Sequence, residues 1–336
     1  MTVSMGGLGI RSASDHCAYE YLSSFLSSLR LVEDVSAMDS IDLGPALNIL
    51  STILGQEISR EELSGQTQKM ISYRIDSHNK SSFMEKLSSL RDKARLGVVG
   101  LPHSGDFLNV IPSPVLGLHM QPSEFRLIAC YRLGVPVFDS FAPCPSCHRE
   151  SDPYGDHAIS CGTDGERISR HNQLRDALFA TAASAALSPA REERALLPGG
   201  DKRPADVFLP HWSGGRDTAL DVTVINPFRN DLLEKEADCP GYALKHAHDR
   251  KVRQVGEACE SEGIAFIPLV FETFRGMSEP TIKVTRRLGS PLAARSGKEE
   301  GEVIGHLFQR LSVLLQKGNA ALLCNRVPNF PPTELD

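Results

Sequence analysis

Apolar side chains recur at helical intervals along the first 140 residues. Leu22, Phe25 and Leu29 mark a helix within 15–30, and Leu43, Leu47, Leu50 and Leu54 a second within 40–55. Phe83, Leu87 and Leu90 mark a third within 81–95. The stretch from Leu101 to Phe138 holds more proline and shorter apolar runs, with one helix expected near Glu124–Leu133. This half predicts mostly helix and carries no nameable chemistry. The pattern then changes. Thr163-Asp164-Gly165-Glu166 has the Thr-x-x-Glu form of a capping box, and Ile168, Leu174, Leu178, Ala182 and Ala185 predict a helix to about Leu187. Three short strands are expected at Ala195–Leu197, Ala205–Leu209 and Thr218–Ile225, the last reached through the turn-like Ser213-Gly214-Gly215. A helix from about Tyr242 to Glu262 leads to the apolar strand Ile264–Phe271. An amphipathic helix over 299–317 follows, through Val303, Ile304, Leu307, Phe308, Leu311 and Leu314. The order αβββαβ predicts an α/β sandwich whose last helix crosses over between parallel strands.

Between the two halves stand Cys144, Cys147, His157 and Cys161, at a Cys-x2-Cys-x9-His-x3-Cys spacing. Three thiolates and an imidazole suit tetrahedral Zn2+, and a closed set of four leaves no open position for catalysis. The x2 spacing lets two cysteines bind from one tight turn, and Pro153 and Gly155 supply the bends that return His157 and Cys161. His148 is an alternative ligand, set close to Cys147. Such knuckles hold nucleic acid in some proteins and only fix a fold in others. Cys17, Cys130, Cys239, Cys259 and Cys324 are scattered and read as small buried hydrophobes.

Asp206 opens one expected strand and Asp221 lies inside the next, with 14 residues between them. Along the second strand Leu220, Val222 and Val224 face one way, Asp221 and Thr223 the other. A hairpin would set the two aspartates across adjacent strands, about 5 Å apart. Carboxylates that close repel unless a cation sits between them, and Mg2+ accepts such a pair while keeping waters and contacting phosphate. Two ordinary solvent-facing aspartates would have the same spacing. In the following helix Leu244, His248, Lys251, Val255 and Ala258 share a stripe, so Lys251 faces the sheet and needs an anion, for which Asp221 is the candidate. Lys245 lies off that stripe, toward solvent.

At 336 residues the chain is long enough for two or three compact units. Its 41% hydrophobic and 23% charged residues are ordinary globular values. A net charge of -6 with a pI near 6.0 argues against a general basic coat, so any DNA contact must be a local groove. No apolar run reaches the ~20 residues of a membrane span, and the start lacks a secretory signal. An intracellular protein is expected.

The order of Cys-x2-Cys-x9-His-x3-Cys, Arg170-His171-Asn172, Pro204-Ala205-Asp206 and Asp221-Val222-Thr223-Val224 resembles the C-terminal half of site-specific non-LTR retrotransposon proteins. In those, a restriction-like endonuclease of the PD-(D/E)xK fold follows a reverse transcriptase. The resemblance is clearest over about 120–330. Leu116-Gly117-Leu118-His119, Glu124-Phe125-Arg126 and Tyr131-Arg132-Leu133-Gly134 look like the linker before the knuckle, and Gly6 to Ser12 look like the end of the polymerase thumb. It implies a thumb remnant over 1–28, a mostly helical linker over 29–140 and a CCHC zinc knuckle over 141–162. An endonuclease core over 163–290 and a C-terminal helix over 291–330 would complete the chain.

The activity implied is Mg2+-dependent nicking of target DNA, so that the freed 3′-hydroxyl primes reverse transcription. Asp206 and Asp221 would hold Mg2+, Lys251 would orient the attacking water, and His171 would contact phosphate or the waters around the metal. Cys144, Cys147, His157 and Cys161 would hold structural Zn2+, and Arg167, Arg170 and Lys245 would contact nucleic acid. The implied partners are target DNA, element RNA and an upstream reverse transcriptase part, in the nucleus and away from membranes. Two departures stand out. Ala205 separates Pro204 from Asp206, and Thr223 occupies the place of the usual lysine, which Lys251 on the following helix would replace. No Tyr-x-Asp-Asp polymerase signature is present. The rival expectation is a decayed or domesticated remnant that binds nucleic acid through zinc and does not cut.

Overall fold

The computed structural model describes residues 1–35, 42–193, 196–197 and 204–326, in two compact units, Met1–Ser88 and Ser89–Asp336. The first unit is helical: α1 (Ala13–Val35), α2 (Gly44–Leu54), α3 (Arg60–Leu63) and α4 (Gln68–Lys86). Its core joins Tyr19 and Leu22 to Leu50, Leu54, Leu63, Ile71 and Ile75. The hydroxyls of Ser59 and Thr67 cap α3 and α4 by accepting the Glu62 and Met70 N–H groups. The helix expected over 40–55 begins at Gly44, and residues 40 and 41 lie outside the described residues.

The helix expected over 81–95 is two helices. α4 ends at Lys86 and α5 (Leu90–Val98) starts after Ser89, whose hydroxyl accepts the Asp92 N–H. Phe83 and Leu90 are both exposed, so their spacing does not mark one buried face.

The second unit continues with α6 (Pro122–Leu133), a small hairpin of β1 (Ala142–Pro143) and β2 (Glu150–Ser151), α7 (Asp156–Ser160) and α8 (Glu166–Ser184). Then come β3 (Ala190–Arg191), β4 (Val207–Ser213), β5 (Arg216–Ile225), α9 (Leu233–Asp238) and α10 (Tyr242–Lys251). A π-helical segment Val252–Gly256, α11 (Glu257–Ser261), β6 (Ala265–Glu272), α12 (Glu279–Ser296) and α13 (Glu300–Cys324) follow. The sheet order is β3-β4-β5-β6, antiparallel until β5 and β6, which run parallel. This is an α/β unit with a small mixed sheet, and the helices between β5 and β6 make the crossover. One face of β5 places Leu220 and Val222 in a core with Leu178, Val207, Leu269, Leu288 and Leu311. On the other face Ile225 and Val270 meet Ala243, Leu244 and Ala247, while Ala219 meets Cys259. No helix among the described residues is long and apolar enough to cross a membrane.

Several local expectations are corrected. The first strand is Ala190–Arg191, pairing with β4, whereas Leu196 and Leu197 lie in a bend and Ala195 lies outside the described residues. Strand β4 runs on through Pro210, because a register shift between Leu209 and Ser213 absorbs the proline and puts His211 at φ 50°. The capping box does not form. Gly165, at φ 82°, is the N-cap of α8, Thr163 turns its hydroxyl to the Cys161 sulfur, and Glu166 takes Asn325 and Arg326.

Ile168 is exposed rather than in the core. Helices α9 and α12 escape the apolar pattern, since α12 buries Thr281, Thr285 and Gly289 beside Val284 and Leu288. The stripe of α10 is also shifted. The π segment adds one residue to the turn, so Cys259 is buried where Ala258 was expected, and Ala258 is exposed. Of the five scattered cysteines only Cys259 is buried; Cys17, Cys239 and Cys324 are exposed and Cys130 is half-buried.

Candidate metal centre and acidic cleft

The Cys/His group is built on the β1–β2 hairpin and α7. The Cys144 N–H donates to the Arg149 carbonyl at 2.7 Å and the His148 N–H to the Cys144 carbonyl at 2.9 Å, which closes the turn that carries Cys147. His148 sits in that turn at φ 60°, exposed, and does not belong to the four-donor group. On the returning side, the Asp152 carboxylate accepts the N–H groups of Tyr154, Asp156 and His157 at 2.7 to 3.1 Å and so starts α7. Gly155 precedes the helix at φ 90°, where a Cβ would lie 2.5 Å from a Leu323 methyl.

One ligand atom from each of Cys144, Cys147, His157 and Cys161 lies within 4.8 Å of the others. The Cys144 and Cys161 sulfurs are 4.0 Å apart, and Cys147 Sγ is 3.2 Å from His157 Nε2. Around a tetrahedral Zn2+ with Zn–S near 2.3 Å, neighbouring sulfurs sit roughly 3.7 Å apart, so the four can close on a zinc ion. Burial works against a Cys161 thiolate, but hydrogen bonds from Thr163, Arg326 and Cys147 outweigh it and draw the thiol down to about 6. That favours the form that binds metal.

The aspartates meet as the hairpin requires. Val207 pairs with Leu220 and the Asp206 N–H donates to the Leu220 carbonyl, so Asp206 stands at the mouth of β4, beside Asp221 on β5. The Gly214-Gly215 turn, at φ 62° and 79°, closes the hairpin from Ser213 to Arg216. Asp206 Oδ2 accepts the Val222 N–H at 2.6 Å and lies 3.1 Å from His171 Nε2. That hydrogen bond is the main reason the imidazole titrates above its ordinary value.

Lys251 Nζ lies 3.0 and 2.9 Å from the two oxygens of Asp221, and Thr223 donates to the same carboxylate at 3.1 Å. Burial lifts the Asp221 carboxyl above its usual range, with Lys251 opposing the rise. These groups line a cleft of about 590 Å3 together with Arg167, Ile168 and Arg250. Asp206 and Asp221 offer two protein donors, and the Cys/His set is the one group of three or more metal donors among the described residues. Two carboxylates suffice for Mg2+, which takes its remaining ligands from water and phosphate.

Of the expected nucleic-acid contacts, Arg167 is exposed at the cleft rim, with one nitrogen held by the Ser160 carbonyl at 3.1 Å. Arg170 turns inward. The residue is 3% exposed, its guanidinium donates to Asn319 Oδ1 at 2.6 Å and the Ile159 carbonyl, and burial lowers its pKa to about 10. One end of the guanidinium therefore fastens α8 to α13 and α7, while its Nε is buried without a hydrogen-bond partner. Lys245 is exposed, paired with Asp249 at 2.6 Å, and stands outside the cleft lining.

The residues that sequence reasoning missed are Asn226, Arg229 and Arg250. Asn226, at the end of β5, donates to the Ser160 hydroxyl at 2.7 Å and the Asp156 carbonyl at 3.1 Å, tying α7, which carries His157, to the strand that bears Asp221. Its place just past an apolar strand was the available signal, and the direct neighbour of Lys251 was the signal for Arg250. No family model and no curated protein matches the chain.

Proposed function

We propose that the chain is the metal-dependent endonuclease part of a non-LTR retrotransposon protein, with a PD-(D/E)xK restriction-like core that nicks DNA in the nucleus. The observation that carries this reading is the convergence of Asp206, Asp221, Lys251 and His171 in one open cleft. Four separate elements supply them, and Lys251 comes from the helix between the parallel strands. In the hydrolysis proposed, a water oxygen bonds to phosphorus, the bond to the 3′ oxygen breaks, and that oxygen takes a proton. A bound Mg2+ would supply a water of lowered pKa and offset charge on the leaving oxygen. Asp206 and Asp221 hold negative charge toward the cleft, and His171 with the Val222 N–H fixes the rotamer of Asp206. Lys251 steadies Asp221 in the free protein and sits where charge develops on the phosphate in the complex. A zinc ion held by Cys144, Cys147, His157 and Cys161 would keep α7 in place against Asn226.

A second reading, a zinc-dependent nucleic-acid-binding protein that no longer cuts, draws support from the engagement of both Asp221 oxygens by Lys251. Incubating the protein with supercoiled plasmid separates the two. Open circles that form with Mg2+ and not without it support the endonuclease. Retarded plasmid that stays supercoiled under both conditions supports the second reading.

A further inference from the structure

Between α7 and the end of β5 lies a second cavity, of about 320 Å3, which shares Arg167, Arg170, Thr223, Val224 and Arg250 with the acidic cleft. Four arginines line it: Arg167, Arg170, Arg229 and Arg250, and no carboxylate does. Arg167, Arg170 and Arg250 have no carboxylate partner among the described residues, while Arg229 pairs at the surface with Asp231. Two of the four are left short of acceptors. The Nε atoms of Arg170 and Arg250 are buried without a hydrogen-bond partner, and the Arg170 side chain is more than nine-tenths buried. Buried donors of this kind cost stability unless something accepts from them, and converging cations repel unless an anion lies between them. The planar guanidinium fork matches phosphate geometry, and four forks around one cavity exceed what a single carboxylate could satisfy.

The floor of the cavity is rigid. Asn226 bridges to Ser160 and Asp156, and the carbonyl of Ser160, the residue before Cys161 of the Cys/His group, holds Arg167.

We propose that this cavity is a second phosphate subsite, holding a backbone phosphate of the nucleic-acid strand whose scissile phosphate lies at Asp206 and Asp221. The choice of a nucleic-acid strand rests on the function proposed above; the anion site rests on the four arginines. The subsite fixes which phosphate reaches the acids, because a strand anchored between α7 and β5 enters the cleft from the side of the metal knot. The test is fluorescence anisotropy of a labelled single-stranded oligonucleotide and of its duplex. It uses the full zinc-loaded chain without added divalent cation, across a salt series. Arg229→Gln and Arg250→Gln are made singly and together, with Arg216→Gln, from an exposed pair with Glu260, as the control.

The double variant is expected to bind about 10-fold more weakly, with the slope of log K against log salt reduced by about one per arginine removed. The control should match the parent. Unchanged affinity and slope in the double variant, or an equal loss in Arg216→Gln, overturns the proposal. So does arginine-dependent binding of inorganic pyrophosphate with no arginine-dependent binding of the oligonucleotide, which would assign the cavity to a small free anion. Arginine-dependent strand binding by a protein that never nicks plasmid would leave the subsite standing and remove the endonuclease.

Discussion

Replacing Lys251 by Met separates a catalytic lysine from a structural one. The substitution keeps the aliphatic stem beside the sheet and removes the charge 2.9 and 3.0 Å from the Asp221 oxygens. Breaking a fully buried pair costs about 3–5 kcal/mol and an exposed one at most about 1 kcal/mol. The side chains here are 26% and 15% exposed, which puts the stability cost between these limits, at about 1–3 kcal/mol. Thr223 remains as a donor to Asp221 and keeps the loss from the upper limit. The rate should fall further than stability explains. Loss of one electrostatic donor at a developing charge is worth ~10²–10³ in kcat, about 2.7–4 kcal/mol of barrier. The assay is plasmid nicking with Mg2+ at a temperature where denaturant titration shows the variant fully folded. Lys283→Met serves as the control, from a surface pair with Glu279. Nicking by folded Lys251→Met within about twofold of the parent rate would refute a catalytic role for this lysine.

Purified protein should carry one zinc per chain by elemental analysis, and Cys147→Ser should lower that content; protein free of zinc, or a variant with unchanged content, would contradict the ligand set. Gly155→Ala should cost about 1–3 kcal/mol by denaturant unfolding, because φ is 90° and the new methyl meets Leu323 at 2.5 Å. Glu272 is fully buried with both carboxyl oxygens unpartnered, and burial, then Glu236, pushes its carboxyl well above the usual range. Its folded form thus prefers the proton. The stability it contributes is complete below the ordinary carboxyl value and is lost as pH rises toward the raised one. Unfolding free energy measured from pH 4 to 8 should fall less steeply in Glu272→Gln than in the parent, and an unchanged slope would place the titration elsewhere.

The parts of the site legible in the sequence were those fixed by local spacing. Cys-x2-Cys is a turn, a Gly-Gly dipeptide between apolar runs is a hairpin, and a hairpin brings Asp206 beside Asp221. The partnership of Lys251 with Asp221 followed from helical period alone, since α10 is regular up to Lys251. Beyond it the period failed at the π segment, which no apolar pattern announces, and Cys259 took the place of Ala258.

Helix α12 stayed hidden because threonines and a glycine fill part of its buried face, where close packing rather than apolar character decides burial. Gly289 shows this, since a Cβ there would lie 2.5 Å from Ile304. The burial of Arg170 escaped notice for a similar reason. The resemblance implied a nucleic-acid contact, and the sequence gives no sign that Asn319, 149 positions away, holds one end of the guanidinium inside, because a partner so distant leaves no local trace. The cavity between α7 and β5 depends on the same kind of long-range bond, from Asn226 to Ser160.

The central claim is that Asp206 and Asp221 act together as the site of phosphodiester cleavage. Its most direct test is nicking of supercoiled plasmid, with Mg2+, by the parent, Asp221→Asn and Asp206→Asn, with DNA binding measured on the same samples. Asparagine at 206 keeps an oxygen for the Val222 N–H, which alanine would leave unpaired. The account predicts that both variants fold and bind DNA at least as tightly as the parent, while nicking falls by a factor of 100 or more, roughly the loss of one essential group. Nicking at the parent rate by either folded variant would contradict it.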